Sequence, residues 1–132
     1  MKLESQVCSI EYSKRLCELG VKQESLFYYE YITLTEEWHI TWENNSSDSN
    51  YSAFTVAELG EMLPYAIFDY EDTSSIWLTC FKDKEEFTIS YDEIMTGEHT
   101  QYFFEQKDKT EANARAKMLI HLLENGLMEL PK

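Results

Sequence analysis

Basic side chains are missing from a long central part of this chain. No Lys or Arg lies between Lys22 and Lys82, whereas eleven Asp and Glu side chains fall in that interval. Residues 23–105 carry two basic and eighteen acidic side chains, in a chain of net charge −14. Because contacts to phosphate groups need Lys and Arg, we expect no direct binding to nucleic acid and none to an anionic membrane surface.

Glycine and proline are also scarce, and the common catalytic motifs are absent. Four Gly and two Pro among 132 residues leave little room for long linkers, so one domain is expected over residues 1–132. The chain contains no P-loop, G-x-G-x-x-G or G-x-S-x-G motif. His121 and Glu124 have a ligand spacing on one helix face, but a solvated pair is the commoner arrangement. The sequence therefore predicts a protein that is not an enzyme and holds no metal or cofactor.

Signals for export and for membrane insertion are lacking as well. The first residues contain no apolar stretch of the secretory kind, and no apolar run approaches the ~18 residues that cross a bilayer. The three cysteines, Cys8, Cys17 and Cys80, are odd in number and form no C-x-x-C pair. That usage is typical of free thiols in a reducing compartment. We therefore expect a cytoplasmic protein.

Three segments have the periodicity and the end signals of helices. The first covers residues 10–19 and stops at Gly20, a residue suited to a left-handed helix end. The second is short and begins at Thr55, which starts a capping box. The third is the longest, and either Asp108 or Thr110 is its N-cap. These predict an N-terminal, a short middle and a long C-terminal helix.

Six further segments have strand patterns. They cover residues 26–34, 38–43, 65–70, 76–81, 87–91 and 101–105. Within residues 87–91, apolar and polar side chains alternate, which is typical of a strand with one buried face. The order of the elements predicts an α+β fold, in which an antiparallel β-sheet packs against the three helices.

Aromatic residues are concentrated in the first two of these strands. Strands favour aromatic residues, so the simplest interpretation is that they fill the core of a sheet. Trp38 and Trp42 share a face with Ile40 and are expected in that core. Tyr29 or Tyr31 is the better candidate for an exposed anchor that contacts a partner.

The acidic stretch, residues 23–105, supplies the charged residues of the same candidate binding surface. An anionic face suits a cationic partner, although a solvated surface that keeps the chain soluble is the alternative. The candidate partner-binding residues are Tyr29, Tyr31, Glu30, Glu36, Glu37, Glu43, Glu71 and Asp72.

Three segments also carry a resemblance to a known group of proteins. They are residues 18–28, residues 53–64, and residues 112–125 with their Ala-Arg-Ala-Lys-Met-Leu-Ile core. In order and spacing, these segments resemble small acidic uncharacterised proteins of bacterial phages and prophages. The resemblance implies an accessory or anti-defence factor that works by binding, and it carries over no catalytic residues.

The leading hypothesis is a non-enzymatic inhibitor. It would bind a host protein that has a basic, nucleic-acid-binding surface, such as a CRISPR effector nuclease. Opposite charge would speed association, and aromatic anchors would hold the complex. Two alternatives stay open: a protein that sequesters a small molecule or nucleotide in a pocket lined by Tyr and Trp, and a structural or housekeeping accessory of a phage.

Overall fold

The computed structural model describes residues 2–42, 50–68, 75–94 and 100–131, with the backbone alone for residues 68, 75, 93–94 and 100–103. These residues form three α-helices and seven antiparallel strands in one small α+β domain, which confirms the predicted fold class. In chain order the elements are a 3₁₀ turn (Leu3–Ser5), α1 (Ile10–Glu18), β1 (Tyr28–Ile32), β2 (Glu37–Thr41), β3 (Tyr51–Ser52), α2 (Val56–Met62), β4 (Ala66–Phe68), β5 (Ser75–Lys82), β6 (Phe87–Ile94), β7 (Thr100–Asp108) and α3 (Glu111–Glu124).

Helix α1 ends at the predicted glycine. Gly20 has a φ of 93°, in the left-handed region that favours glycine. Its amide donates to the carbonyl of Cys17 at 3.0 Å, and the Val21 amide donates to the carbonyl of Leu16 at 3.0 Å. This pair of hydrogen bonds is the Schellman ending of a helix. It directs the Val21 side chain into the buried core that also contains Leu16.

Helix α2 begins at the predicted capping box. The Thr55 hydroxyl accepts from the Glu58 amide at 3.2 Å, and a Glu58 carboxylate oxygen accepts from the Thr55 amide at 2.8 Å. The other Glu58 oxygen accepts from the Leu26 amide at 2.8 Å. The cap therefore also holds the chain that leads into β1.

The strands divide into two sheets rather than one. The smaller sheet has the order β2-β1-β3, and the larger has the order β4-β5-β6-β7. Strand β3 was not predicted, because it is only two residues long and follows a polar loop.

Asp83 shapes the predicted turn between β5 and β6. Its carboxylate accepts hydrogen bonds from the amides of Glu85 and Glu86, and these bonds lower the pKa of Asp83.

Helix α3 packs across the larger sheet and completes the main core. Thr110 is its N-cap, since the Thr110 hydroxyl accepts from the Asn113 amide at 3.2 Å. Asp108 instead forms an ion pair with Lys117 at 3.0 Å. Burial alone would raise the pKa of Asp108, but the hydrogen bond and the charge of Lys117 outweigh it and lower that pKa. Fully buried residues of α3 are Ala112, Ala114, Ala116, Met118, Leu119 and Leu122.

A second, smaller hydrophobic cluster lies between the small sheet and the N-terminal segment. Val7 and Ala53 belong to this cluster, whereas their chain neighbours Cys8 and Phe54 belong to the main core. The two segments are joined by a hydrogen bond from the Cys8 amide to the Phe54 carbonyl at 3.0 Å and by a β-bridge between Val7 and Thr55. We call this ribbon the junction, because its alternating side chains enter both cores.

Strand β6 is buried on both faces, so the prediction of one exposed polar face was wrong. The polar residues Thr88, Ser90 and Asp92 lie opposite the helix side and are nevertheless buried. Strand β6 lies between β5 and β7, and the cross-strand partners of Thr88 and Asp92 on β5 are the large residues Phe81 and Trp77. The burial thus follows from a pairing that the pattern of one strand does not reveal.

The capping box gives a first prediction. Replacing Thr55 with Ala should lower the free energy of unfolding by about 1 kcal/mol, because the Glu58 amide loses its acceptor. Thr55→Ser keeps the hydroxyl and should stay close to the wild type. Urea unfolding of the three proteins measures the difference, and equal losses for both variants would contradict a capping role.

Candidate interaction surface

The candidate surface is the hairpin formed by β1, the turn at residues 33–36, and β2, which we call the acidic hairpin. The two strands pair in register with Tyr29 opposite Ile40 and Tyr31 opposite Trp38. Because directly opposed residues share a face, these four side chains form the inner face of the hairpin. The outer face carries Tyr28, Glu30, Ile32, Glu37, His39 and Thr41.

Tyr29 is a core residue, so the prediction that it could serve as an exposed anchor was wrong. Its ring is buried among Val7 and Ala53 in the small cluster. Its hydroxyl donates to the backbone carbonyl of Cys8 at 2.7 Å, and burial raises the pKa of Tyr29 well above its usual value. Tyr29 therefore fixes the hairpin to the junction.

Tyr31 lies on the same inner face but nearer the turn, and it is 40% exposed. Its ring is 5.3 Å from that of Trp38, which is in turn 5.6 Å from that of Tyr51. The Lys14 ammonium group lies 4.9 Å from the Trp38 ring centre, within the range of a cation–π contact. Tyr31 thus has the exposure that the anchor hypothesis requires.

Trp42 is 78% exposed, so the prediction that it belongs to the core was wrong. It follows the last residue of β2, where the alternation that places Trp38 and Ile40 inward no longer applies. Leu34, in the turn, is 94% exposed. Two large apolar side chains therefore accompany Tyr31 on the exposed parts of this region. Leu34 was not predicted as a contact residue.

Three of the predicted carboxylates lie on the outer face or in the turn. Glu30 and Glu37 share the outer face, and Glu36 is in the turn with a φ of 54°. Glu36 and Glu37 are both exposed. His39 lies 4.0 Å from the Glu37 carboxylate and would offset its charge only when protonated. The hairpin sequence from residue 28 to residue 41 contains no Lys or Arg. The remaining predicted carboxylates, Glu43, Glu71 and Asp72, lie outside the described residues.

Groups with catalytic potential have structural contacts in this fold. Burial raises the pKa of the Cys8 thiol, and burial followed by the charge of Glu111 raises that of Cys80. Both shifts disfavour the nucleophilic thiolate. Glu124 accepts from Arg15 at 2.9 Å instead of sharing a ligand site with His121. In the part of the chain that the structure describes, no three His, Cys, Asp or Glu side chains are grouped to hold a metal ion.

Two open clefts bear on the small-molecule alternative. One of 380 Å³ lies beside α2 and is lined by Gln6, Thr55, Val56, Ala57, Gly60 and Arg115. The other, of 460 Å³, is lined by Glu24, Glu58, Glu61, Met62 and Pro131. Among the described residues that line these two clefts there is no Tyr or Trp, which this alternative requires.

Comparison with known proteins leaves the chain without an assigned relative. No protein-family model, curated protein or solved structure matches it significantly. The resemblance to phage proteins therefore stays a prediction. Within residues 2–42, 50–68, 75–94 and 100–131, no helix is long and apolar enough to cross a membrane.

The contrast between the two tyrosines of β1 gives a second prediction. Tyr29→Phe should lower the free energy of unfolding by about 1–2 kcal/mol, because the buried Cys8 carbonyl loses its donor. Tyr31→Phe makes the same chemical change at an exposed ring and should alter stability by less than about 0.5 kcal/mol. Thermal melts of both variants test this, and equal losses would contradict the assignment of Tyr29 as the core residue and Tyr31 as the exposed one.

Proposed function

We propose that this protein is a non-enzymatic inhibitor that binds the basic, nucleic-acid-binding surface of another protein through the acidic hairpin. The observation that supports the proposal best is the grouping of Glu30, Glu36 and Glu37 on a hairpin without Lys or Arg. A face rich in carboxylates attracts a cationic partner over several ångströms and speeds association.

The spacing of the carboxylates suits a surface that normally receives nucleic acid. Glu30 is directly opposite His39, so Glu37 is its diagonal neighbour across the hairpin. Diagonal neighbours lie about 7–8 Å apart. One DNA strand presents a phosphate about every 3.4 Å along the helix axis. Glu30 and Glu37 thus offer negative charges at about the spacing of every second phosphate, and Glu36 lies next to Glu37 in the turn.

The hairpin is held in place before any partner arrives. Tyr29 is hydrogen bonded to the junction, and Trp38 and Ile40 pack against the small cluster. A surface that is already ordered loses less conformational entropy on binding than a flexible acidic tail would lose. This order favours the binding interpretation over the alternative in which the acidity mainly keeps the chain soluble.

Exposed apolar side chains beside the carboxylates would add affinity. Tyr31 and Leu34 lie in the hairpin itself, and Trp42 follows β2 directly. Large apolar and aromatic anchors carry much of the energy at protein interfaces, whereas exposed charges mainly set the rate and the specificity. Tyr31 is the predicted anchor, with Leu34 and Trp42 as additional contacts.

A phage accessory role is the biological setting that fits the proposal. The resemblance of three segments to phage proteins suggests that the target is a defence protein of a bacterial host. A CRISPR effector nuclease is one such protein, because it holds nucleic acid in a basic channel. The protein would then act in the cytoplasm of the host by occupying that channel stoichiometrically.

Charge reversal tests the binding face directly. Replacing both Glu36 and Glu37 with Lys should lower the rate of association with a partner protein captured from bacterial lysate about tenfold. A matched control reverses Glu61 and Glu85, which are equally exposed but lie on α2 and in the β5–β6 turn. Because both double variants change the net charge by the same amount, only a larger effect at the hairpin supports the proposal. Equal effects would show that net charge alone drives association.

Competition with nucleic acid tests the class of partner. Double-stranded DNA or structured RNA that the partner binds should displace this protein from the complex, and the protein alone should bind neither. Electrophoretic mobility and pull-down experiments measure both properties. A complex that excess nucleic acid leaves intact would contradict binding at the nucleic-acid surface.

A further inference from the structure

The acidic hairpin lies at an edge of the smaller sheet. Strand β2 pairs with β1 on one side, and in the order β2-β1-β3 no strand of the described residues lies on its other side. A sheet edge presents backbone amides and carbonyls that can pair with a further strand. The edge of β2 is therefore a candidate site for an added strand.

The three other sheet edges have features that hinder strand addition. Strand β3 has two residues and β4 has three, so neither offers a strand of useful length. Strand β7 has a shift of register in its pairing with β6, and the Lys117 ammonium group donates to the Lys107 carbonyl at 2.7 Å. Short strands, bulges, lysine and proline are common means of protecting an edge.

Strand β2 has none of these protecting features. It is five residues long, contains no Lys, Arg, Pro or Gly, and pairs with β1 without a shift of register. An edge of this length and regularity can accept a partner strand, which is a recurring way in which proteins recognise extended peptides.

Hydrogen bonds of the smaller sheet define which backbone groups of β2 face outward. The Ala53 amide donates to the Phe27 carbonyl at 2.9 Å, so the backbone of Phe27 faces the β3 side. Because backbone groups of successive residues point to opposite sides of a strand, the even-numbered residues of β1 bond to the odd-numbered residues of β2. The amides and carbonyls of Trp38 and Ile40 therefore point away from β1, towards the edge.

The charge beside this edge selects the kind of strand that it can accept. Glu37 lies on β2 and is exposed, and Glu30 lies on the same outer face, opposite His39. A strand with basic side chains on its outer face would bring opposite charges next to Glu37. A second copy of this chain would instead add its own Glu30 and Glu37 to the same face. Charge therefore favours a basic strand from another protein.

The inner side of the same edge is apolar. Trp38 and Ile40 are half-buried, and their side chains pack against the small cluster. Inward-pointing residues of an added strand would lie next to them, because directly opposed residues share a face. Apolar residues suit these inner positions.

We propose that β2 accepts an added antiparallel strand from the partner protein, in which basic residues alternate with apolar ones. The basic side chains lie on the outer face beside Glu37, and the apolar ones lie on the inner face beside Trp38 and Ile40. A shift of one residue would exchange the two faces, so the alternation also fixes the register. This inference rests on the proposed function and makes its partner more specific, as a basic protein with an extended segment to donate.

Titration with short peptides tests strand addition. The probe is acetyl-Arg-Val-Arg-Val-Arg-amide, which matches β2 in length and places its valines opposite Trp38 and Ile40. In ¹H–¹⁵N spectra of the full chain, it should shift the amide signals of these two residues saturably, because both amides gain an acceptor. The peptide with threonine in place of each arginine should bind severalfold more weakly. Equal affinity for both peptides would overturn the selection for a basic strand.

Methylation of the peptide backbone separates strand pairing from attraction between charges. In the antiparallel arrangement, the valine amides point to β2 and the arginine amides point away. N-methylation of both valines should weaken binding about tenfold, because two hydrogen bonds are lost. N-methylation of the last two arginines is the matched control and should leave affinity close to that of the unmethylated peptide.

The two methylated peptides also separate this inference from the proposed function. If they bind with equal affinity and shift residues 28–41, strand addition is overturned, while the acidic hairpin stays the binding face. If no arginine peptide shifts residues 28–41, that result contradicts both the inference and the proposed function.

A substitution in the protein tests the same hydrogen bonds from the other side. Ile40→Pro removes an amide that points away from β1, so the bonds between β1 and β2 are kept, and proline is tolerated at such edge positions. Binding of the arginine peptide should weaken severalfold. Ile40→Val keeps the amide and should bind as the wild type does. An Ile40→Pro protein with a folded ¹H–¹⁵N spectrum and wild-type affinity would overturn the proposal.

A second copy of this chain is the competing occupant of the edge. The proposal predicts a monomer in sedimentation velocity experiments at the concentrations of the titration. A dimer that Ile40→Pro dissociates would show that β2 pairs with its own copy, and it would overturn the assignment of the edge to a basic strand.

Discussion

The junction is the constraint on which the rest of the structure depends. Val7 and Cys8 pair with the chain around Phe54, and successive side chains along both segments enter the small cluster and the main core in turn. The carbonyl of Cys8 then accepts the hydroxyl of Tyr29, which sets the position of β1. Because successive side chains of an extended segment point to opposite sides, the junction can pack against both cores at once. The junction therefore sets the position of the acidic hairpin.

Charge is distributed unevenly over the same framework. In the helical layer, many basic side chains have carboxylate partners: Arg15 contacts Glu18 and Glu124, and Arg115 contacts Glu111. Such pairs offset part of the negative charge on α1 and α3. The hairpin sequence, by contrast, contains three Glu and no Lys or Arg, and a surface of predominantly one sign attracts oppositely charged partners. Together with a fixed backbone, this makes the hairpin a better candidate for binding than a uniformly acidic surface would be.

Local signals were readable from the sequence, and long-range ones were not. The Thr55 capping box and the Gly20 helix end depend on neighbouring residues, so both were predicted. Alternation places Tyr29 and Tyr31 on one face but cannot tell which of them lies over the junction, because that depends on contacts with Val7, far away in the chain. The burial of Asp92 likewise depends on its partner across the sheet, Trp77, which the sequence pattern does not specify.

Hydrogen–deuterium exchange on the complex with the captured partner tests the central claim most directly, namely that the acidic hairpin is the binding face. Amides of the turn at residues 33–36 and of the edge strand β2 exchange through local opening in the free protein. A partner seated on the hairpin should slow exchange across residues 28–41, while α3 in the main core serves as an unchanged reference. An intact complex in which residues 28–41 exchange as fast as in the free protein would contradict the account.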